Sequence, residues 1–185
     1  MRPKTLTIGA CELSKPFIRT LSTLTDKSVT FLQLGMTRHD TLTFTDVFLA
    51  FPHIQKLDAY GIIPTPTWMS DILKAQKTKL SWLTMTDAYG IIPTPTWMSD
   101  ILKAQTTKLS WLTMTGTAKQ FGDFTLHDLT SFIQAQNLDF MVVFRIEVTG
   151  ATYADKQEGR QYYDKLNVMS EKLPPGSCRV LSGCC

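Results

Sequence analysis

Apolar positions along the chain switch between a spacing near 3.6 and a spacing of two, and each switch marks an expected element. Residues 4–8 read as a short strand. A helix then starts near Ser14, with Phe17, Ile18, Leu21 and Leu24 as its apolar stripe. Ser14 suits the N-cap, because its hydroxyl can accept a hydrogen bond from a free first-turn amide. Asp26 and Lys27 form a turn into residues 28–34, SVTFLQL, whose apolar side chains on both sides of the pleat predict a buried strand. Beyond a polar loop, residues 42–61 predict a short strand and then a helix. Thr45 caps its first turn, Pro52 interrupts it, and Ile54, Leu57 and Tyr60 form a stripe that stops at Gly61. Towards the C-terminus, Thr125 caps a helix carrying Leu126, Leu129, Phe132 and Ile133. Residues 140–148 alternate as a strand, and residues 155–172 form a polar helix with Tyr162, Leu166, Met169 and Leu173 on its buried line.

The middle of the chain is written twice. DAYGIIPTPTWMSDILKAQKTKLSWLTMT occupies residues 58–86 and recurs at 87–115, with Lys77 against Thr106 as the single difference. Both boundaries are sharp, so the block was copied whole. In each copy the two prolines force an extended segment, since they remove amide donors and restrict the residues before them. Trp68, Ile72, Leu73 and Gln76 then fall at helical spacing, and residues 79–86 alternate as a strand. Each copy thus encodes extended segment, helix and strand. Two copies are too few for a free-standing solenoid, which needs three or more units to bury its faces. The expectation is that one copy fills the slot of an ancestral single copy. The other adds a helix and strand at a sheet edge, with the same secondary structure and different burial. The rival outcome is a loosely packed spare copy that exposes Trp and Ile and favours oligomerisation through the duplicated segment.

The alternation of strands and helices predicts an α/β fold: a mixed central sheet flanked by helices, with a duplicated helix-strand element. Residues 1–173 form one domain, and residues 174–185 a flexible tail after Pro174-Pro175-Gly176 that carries Cys178, Cys184 and Cys185. Apolar residues at 43% and charged residues at 19% of the 185 argue for a folded globular chain and against disorder. Net charge is +3 and the basic residues are scattered, which argues against a nucleic-acid partner. No apolar run is long enough to span a membrane. The N-terminal apolar segment is broken by Glu12 and Lys15, a poor signal peptide, and the cysteine pattern does not suit a secreted disulfide scaffold, so a cytoplasmic location is expected.

Chemistry is sparse. His39, His53 and His127 lie far apart and none belongs to a metal-binding spacing, so neither a metal nor another cofactor is expected. Trp68, Trp82, Trp97 and Trp111 could form a stacking surface, although aromatic residues at these spacings usually pack cores. Cys11-Glu12-Leu13-Ser14 sits at a strand-to-helix junction, where amide groups and the helix dipole can activate a thiol. The plainer reading is a buried, inert cysteine.

Three stretches resemble the thioredoxin-like family: TIGACELSKPF, DAYGIIPTPTW and GDFTLHDLTSFIQAQNL, together spanning about residues 4–138. The resemblance implies a thioredoxin-like core in which Cys11 and Ser14 hold the catalytic positions. Pro64 or Pro66 would be the cis-proline that positions a substrate, with Trp68 beside it. The sequence departs from that pattern: Ser14 stands where the resolving cysteine belongs, which leaves at most monothiol or glutathione-assisted exchange. The duplication adds Pro93 and Pro95 as rival prolines. Two functional classes remain open: a thioredoxin-like module with weak or no redox activity, or a non-enzymatic protein-interaction or structural protein whose duplicated segment enlarges a binding surface. Whether the chain is an enzyme is open at this point; a protein or peptide partner fits both classes.

Overall fold

The computed structural model describes residues 2–11, 13–36, 43–60, 80–86, 96–105, 107–147 and 153–183. In chain order the elements are β1 (Thr5–Cys11), α1 (Lys15–Leu24), β2 (Phe31–Met36), α2 (Phe44–Ala50), β3 (Lys56–Tyr60), β4 (Trp82–Thr86), α3 (Trp97–Ala104), β5 (Trp111–Gly116), α4 (Ala118–Phe121), α5 (Leu126–Gln134), β6 (Met141–Glu147), α6 (Tyr153–Ser170) and β7 (Cys178–Gly183). The fold is α/β. Among the described residues, seven strands form one sheet in the order β1-β2-β3-β4-β5-β6-β7. All six pairings are parallel, a more uniform arrangement than the mixed sheet expected.

Sequential order in a parallel sheet has a physical consequence. Crossovers between parallel strands are right-handed, so a chain that always steps to the same side lays its crossovers on one face. Doubly wound sheets cover both faces by reversing direction at a switch point, where their ligands bind; this sheet never reverses. Among the described residues, α1, α2, α3 and α5 join one core cluster with one set of alternate strand residues, the helical face. The other alternate residues form the opposite, open face, on which Lys56, Tyr60, Arg145 and Arg179 are exposed.

The register makes the repetition quantitative. Thr5, Phe31, Lys56, Trp82, Trp111 and Met141 stand side by side, so successive units are 26, 25, 26, 29 and 30 residues long. The same backbone device recurs at the starts of β2, β3, β4 and β5. The carbonyl of Lys4 accepts from the amides of Thr30 and Phe31, that of Thr30 from Gln55 and Lys56, that of Gln55 from Ser81 and Trp82, and that of Ser81 from Ser110 and Trp111. The 29-residue block is thus one whole unit of a coil that runs the length of the chain. This corrects the expectation of an addition at a sheet edge: β4 and β5 are central strands. Their matching residues also share their burial, Leu83 and Leu112 both at 0% exposure. Only Thr84, half-buried, differs from the buried Thr113.

The core lies under the helical face. Leu32, Leu57, Leu83, Leu112 and Val142 form one row across the sheet; Ile8, Leu34, Ala59, Met85, Met114 and Phe144 form the next. Both rows join one cluster with Ile18 of α1, Val47 and Phe48 of α2, Trp97 and Ile101 of α3 and Leu129 and Phe132 of α5. Burying one such Leu contributes about 1.5–3 kcal/mol. Side chains set where the helices begin. Ser14 accepts from the Phe17 amide at 3.3 Å, and Thr43 with Asp46, Thr117 with Gln120 and Thr125 with Asp128 form reciprocal capping boxes. Burial pushes the Asp46 carboxyl up, but bonds from Thr43 and Lys15 outweigh it and hold the group below the ordinary value.

Two other expectations change. Residues 56–60 form β3, not the end of a helix, because α2 stops before Pro52 and Leu57 and Ala59 alternate towards the core. Within residues 174–185, expected to be a tail, Cys178–Gly183 is the seventh strand, paired in register with β6. The Cys178 thiol is free, and burial pushes its pKa up to about 12.

Candidate functional site

Every second strand residue faces away from the core, and in register these residues form transverse rows on the open face. One row runs Phe31, Lys56, Trp82, Trp111, Met141. The next runs Thr7, Gln33, Asp58, Thr84, Thr113, Val143, Arg179, and a third includes Gly35, Tyr60, Thr115, Arg145 and Leu181. Parallel sheets are normally covered on both sides; on this face Lys56, Tyr60, Arg145 and Arg179 are exposed, whereas Thr113 and Val143 are buried. Here the polar residues interact in ordered lines.

The duplication creates the centre of the first row. Because the copies pair in register, Trp82 meets its own counterpart. The rings of Trp82 and Trp111 stack with centroids 4.3 Å apart and planes 2° from parallel. Each indole N–H donates to the threonine two residues on, Trp82 to Thr84 at 3.1 Å and Trp111 to Thr113 at 2.7 Å. The Lys56 ammonium lies 4.9 Å from the Trp82 ring centroid. One ring face of each tryptophan is used in the stack, and both residues are half-buried.

In the second row the Thr7 hydroxyl donates to Gln33 Oε1 at 3.2 Å, and Gln33 Nε2 donates to Asp58 Oδ2 at 3.2 Å. Burial pushes the Asp58 carboxyl above the ordinary value; the Gln33 bond and the positive charge of Arg145 oppose this without cancelling it. In the third row the exposed Tyr60 lies across the neighbouring strand. A Cβ added at Gly35 would stand 2.1 Å from Tyr60 Cζ, and one at Gly9 would stand 3.6 Å from its hydroxyl. Gly35 therefore provides the floor on which the tyrosine ring rests.

The expected site residues are distributed differently. Cys11 is the last residue of β1, paired with Met36 where the register shifts after Ile8. Ser14 is three residues away, its hydroxyl engaged in capping α1. Pro64, Pro66 and Trp68, and the rival Pro93 and Pro95, lie outside the described residues. The tryptophans divide between two roles. Trp97 packs in the core against Phe124, Phe132 and Phe144, with centroids 6.1, 5.3 and 6.1 Å away, whereas Trp82 and Trp111 stand on the open face. Among the described residues, no group of His, Cys, Asp and Glu is arranged to hold a metal ion, and no helix is long and apolar enough to cross a membrane.

Sequence reasoning missed Gln33, Lys56, Asp58, Tyr60 and Arg145. Their signal was a polar residue at every second position of each strand, which only the topology assembles into one surface. Both edges of β4 and β5 are paired within the sheet. Comparison with known protein families, characterised proteins and solved structures gives no match.

Proposed function

We propose that this chain is a non-enzymatic interaction module that presents the open face of its sheet to a protein partner. The observation that carries this reading is the strand register, which places Lys56, Asp58, Tyr60, Trp82, Trp111, Arg145 and Leu181 on one face of the sheet, with Lys56, Tyr60, Arg145 and Leu181 exposed and the others half-buried. Coils of this kind use such a surface for binding. Tyr, Trp and Arg are the residue types that most often dominate binding energy, because they combine apolar area with polar tips. Among the described strands the order never reverses, so it makes no switch point, the usual ligand site of open α/β sheets. A reducing, cytoplasmic setting suits the free Cys178 thiol.

Photocrosslinking side chains placed at Gln33 and Thr84, with matched controls at Arg19 and Gln161 on the helical side, test the assignment. The expected result is one discrete partner captured from the open-face positions and lost when Trp111→Ala is added. Capture from the helical positions alone would contradict it. The thioredoxin-like reading makes a separate prediction, a Cys11 thiol pKa well below the free value of about 8.5. A pKa at or above that value, measured by alkylation rate against pH, removes it.

A further inference from the structure

We infer that the occupant of the open face is a short, extended, acidic stretch of polypeptide laid across the strands from β3 to β7. The inference rests on the reading of this face as an interaction surface and adds the chemistry of the partner. Charge on the face is sorted by depth. Among the described residues its exposed charged side chains, Lys56, Arg145 and Arg179, are all cationic, while its carboxylates, Asp58 and Glu147, are half-buried. Asp58 already accepts from Gln33, and its negative charge is offset by Arg145. What meets an approaching partner first is positive.

The cations are also spaced. Lys56 stands alone on β3, and Arg145 and Arg179 stand on the adjacent strands β6 and β7. At about 4.8 Å per strand and 3.3 Å per residue along each strand, either arginine is about 20 Å from Lys56. An extended peptide covers that distance in about six residues. Between the two ends lie the stacked, half-buried Trp82 and Trp111 rings, with the exposed Tyr60 and Leu181 as flanking apolar surface. The complementary ligand has acidic residues about six positions apart and an apolar residue between them. Arginine's planar fork can take a carboxylate in two bonds, so the β6–β7 end is the stronger anchor.

Selection of displayed random decapeptides against the intact chain tests this. The expected enrichment is acidic residues about six apart with an apolar centre, and the selected peptide, fluorescein-labelled, should bind about tenfold more weakly to Lys56→Glu and to the Arg145→Glu/Arg179→Glu pair. Exchanging the acidic ends of the peptide for lysine should restore binding to those variants, and their unfolding transitions should match the parent. Enrichment of neutral or basic peptides that still depend on Trp111 would overturn the acidic assignment and leave the interaction surface standing. Peptides indifferent to every open-face substitution would overturn both. Displacement of the selected peptide by random single-stranded RNA at stoichiometric concentration would overturn the choice of a polypeptide.

Discussion

The two faces of this sheet carry the same register and obey different rules. On the helical face the central row reads Leu32, Leu57, Leu83, Leu112, Val142, nearly one residue type repeated across five strands. One position along, on the open face, the row reads Gln33, Asp58, Thr84, Thr113, Val143. Packing imposes uniformity on the first row, because each unit must present the same shape to its neighbours. The second row varies in size, polarity and charge; Gln33 bonds sideways to Asp58, while Thr84 and Thr113 accept from tryptophans of their own strands. Fold is held on one side and chemistry is displayed on the other.

Substitutions can break this comparison. The largest expected effect is Leu83→Ala or Leu112→Ala, each costing about 2–5 kcal/mol in urea unfolding. The two costs should agree closely, because the copies are equally buried, and Thr84→Ala should cost far less. Next comes Gly35→Ala, which drives a methyl group into the ring of the exposed Tyr60; because that ring can swing aside, the cost should be about 1 kcal/mol, the low end for overpacking. In a Tyr60→Ala background that cost should largely vanish, which ties it to the ring and not to the backbone. A double-mutant cycle on Trp82 and Trp111 should return a coupling of about 0.5–1.5 kcal/mol, the contribution of the stack beyond simple burial.

The smallest effect is the pH dependence of Asp58→Asn. The folded-state pKa of Asp58 is raised, chiefly by burial, so the folded chain holds this proton more tightly than the unfolded chain does. Its ionised form therefore carries a penalty above the folded value. As pH falls from there towards the unfolded value of about 3.9, the parent should gain stability relative to the variant. Paired urea titrations across that window check the sign; a relative loss for the parent would contradict the assignment.

Much of the layer architecture was legible in the sequence, because α5, β6 and α6 have unbroken periods and Thr125 and Ser14 are recognisable caps. The repetition was legible only where it is nearly literal. The other units share just three apolar positions, as in Val29, Leu32 and Leu34 or Ile54, Leu57 and Ala59, and burial at those positions tolerates different side chains. The same spacing misled the reading of β3, since apolar residues three apart suit a helix as well as a strand preceded by a buried anchor such as Ile54. The open face was illegible for a different reason. Lys56, Tyr60 and Arg145 are distant in sequence, and only strand order brings them onto one surface.

The central claim is that the 29-residue block is one complete unit of a continuous coil. Deleting residues 87–115 joins Thr86 to Gly116 and should place Trp82 directly beside Met141. Urea unfolding of that variant should remain a single cooperative transition, with an m-value smaller by about one-sixth, in proportion to the surface removed. A chain with no cooperative transition would contradict the claim, because it would mean that the two copies are not interchangeable units of one structure.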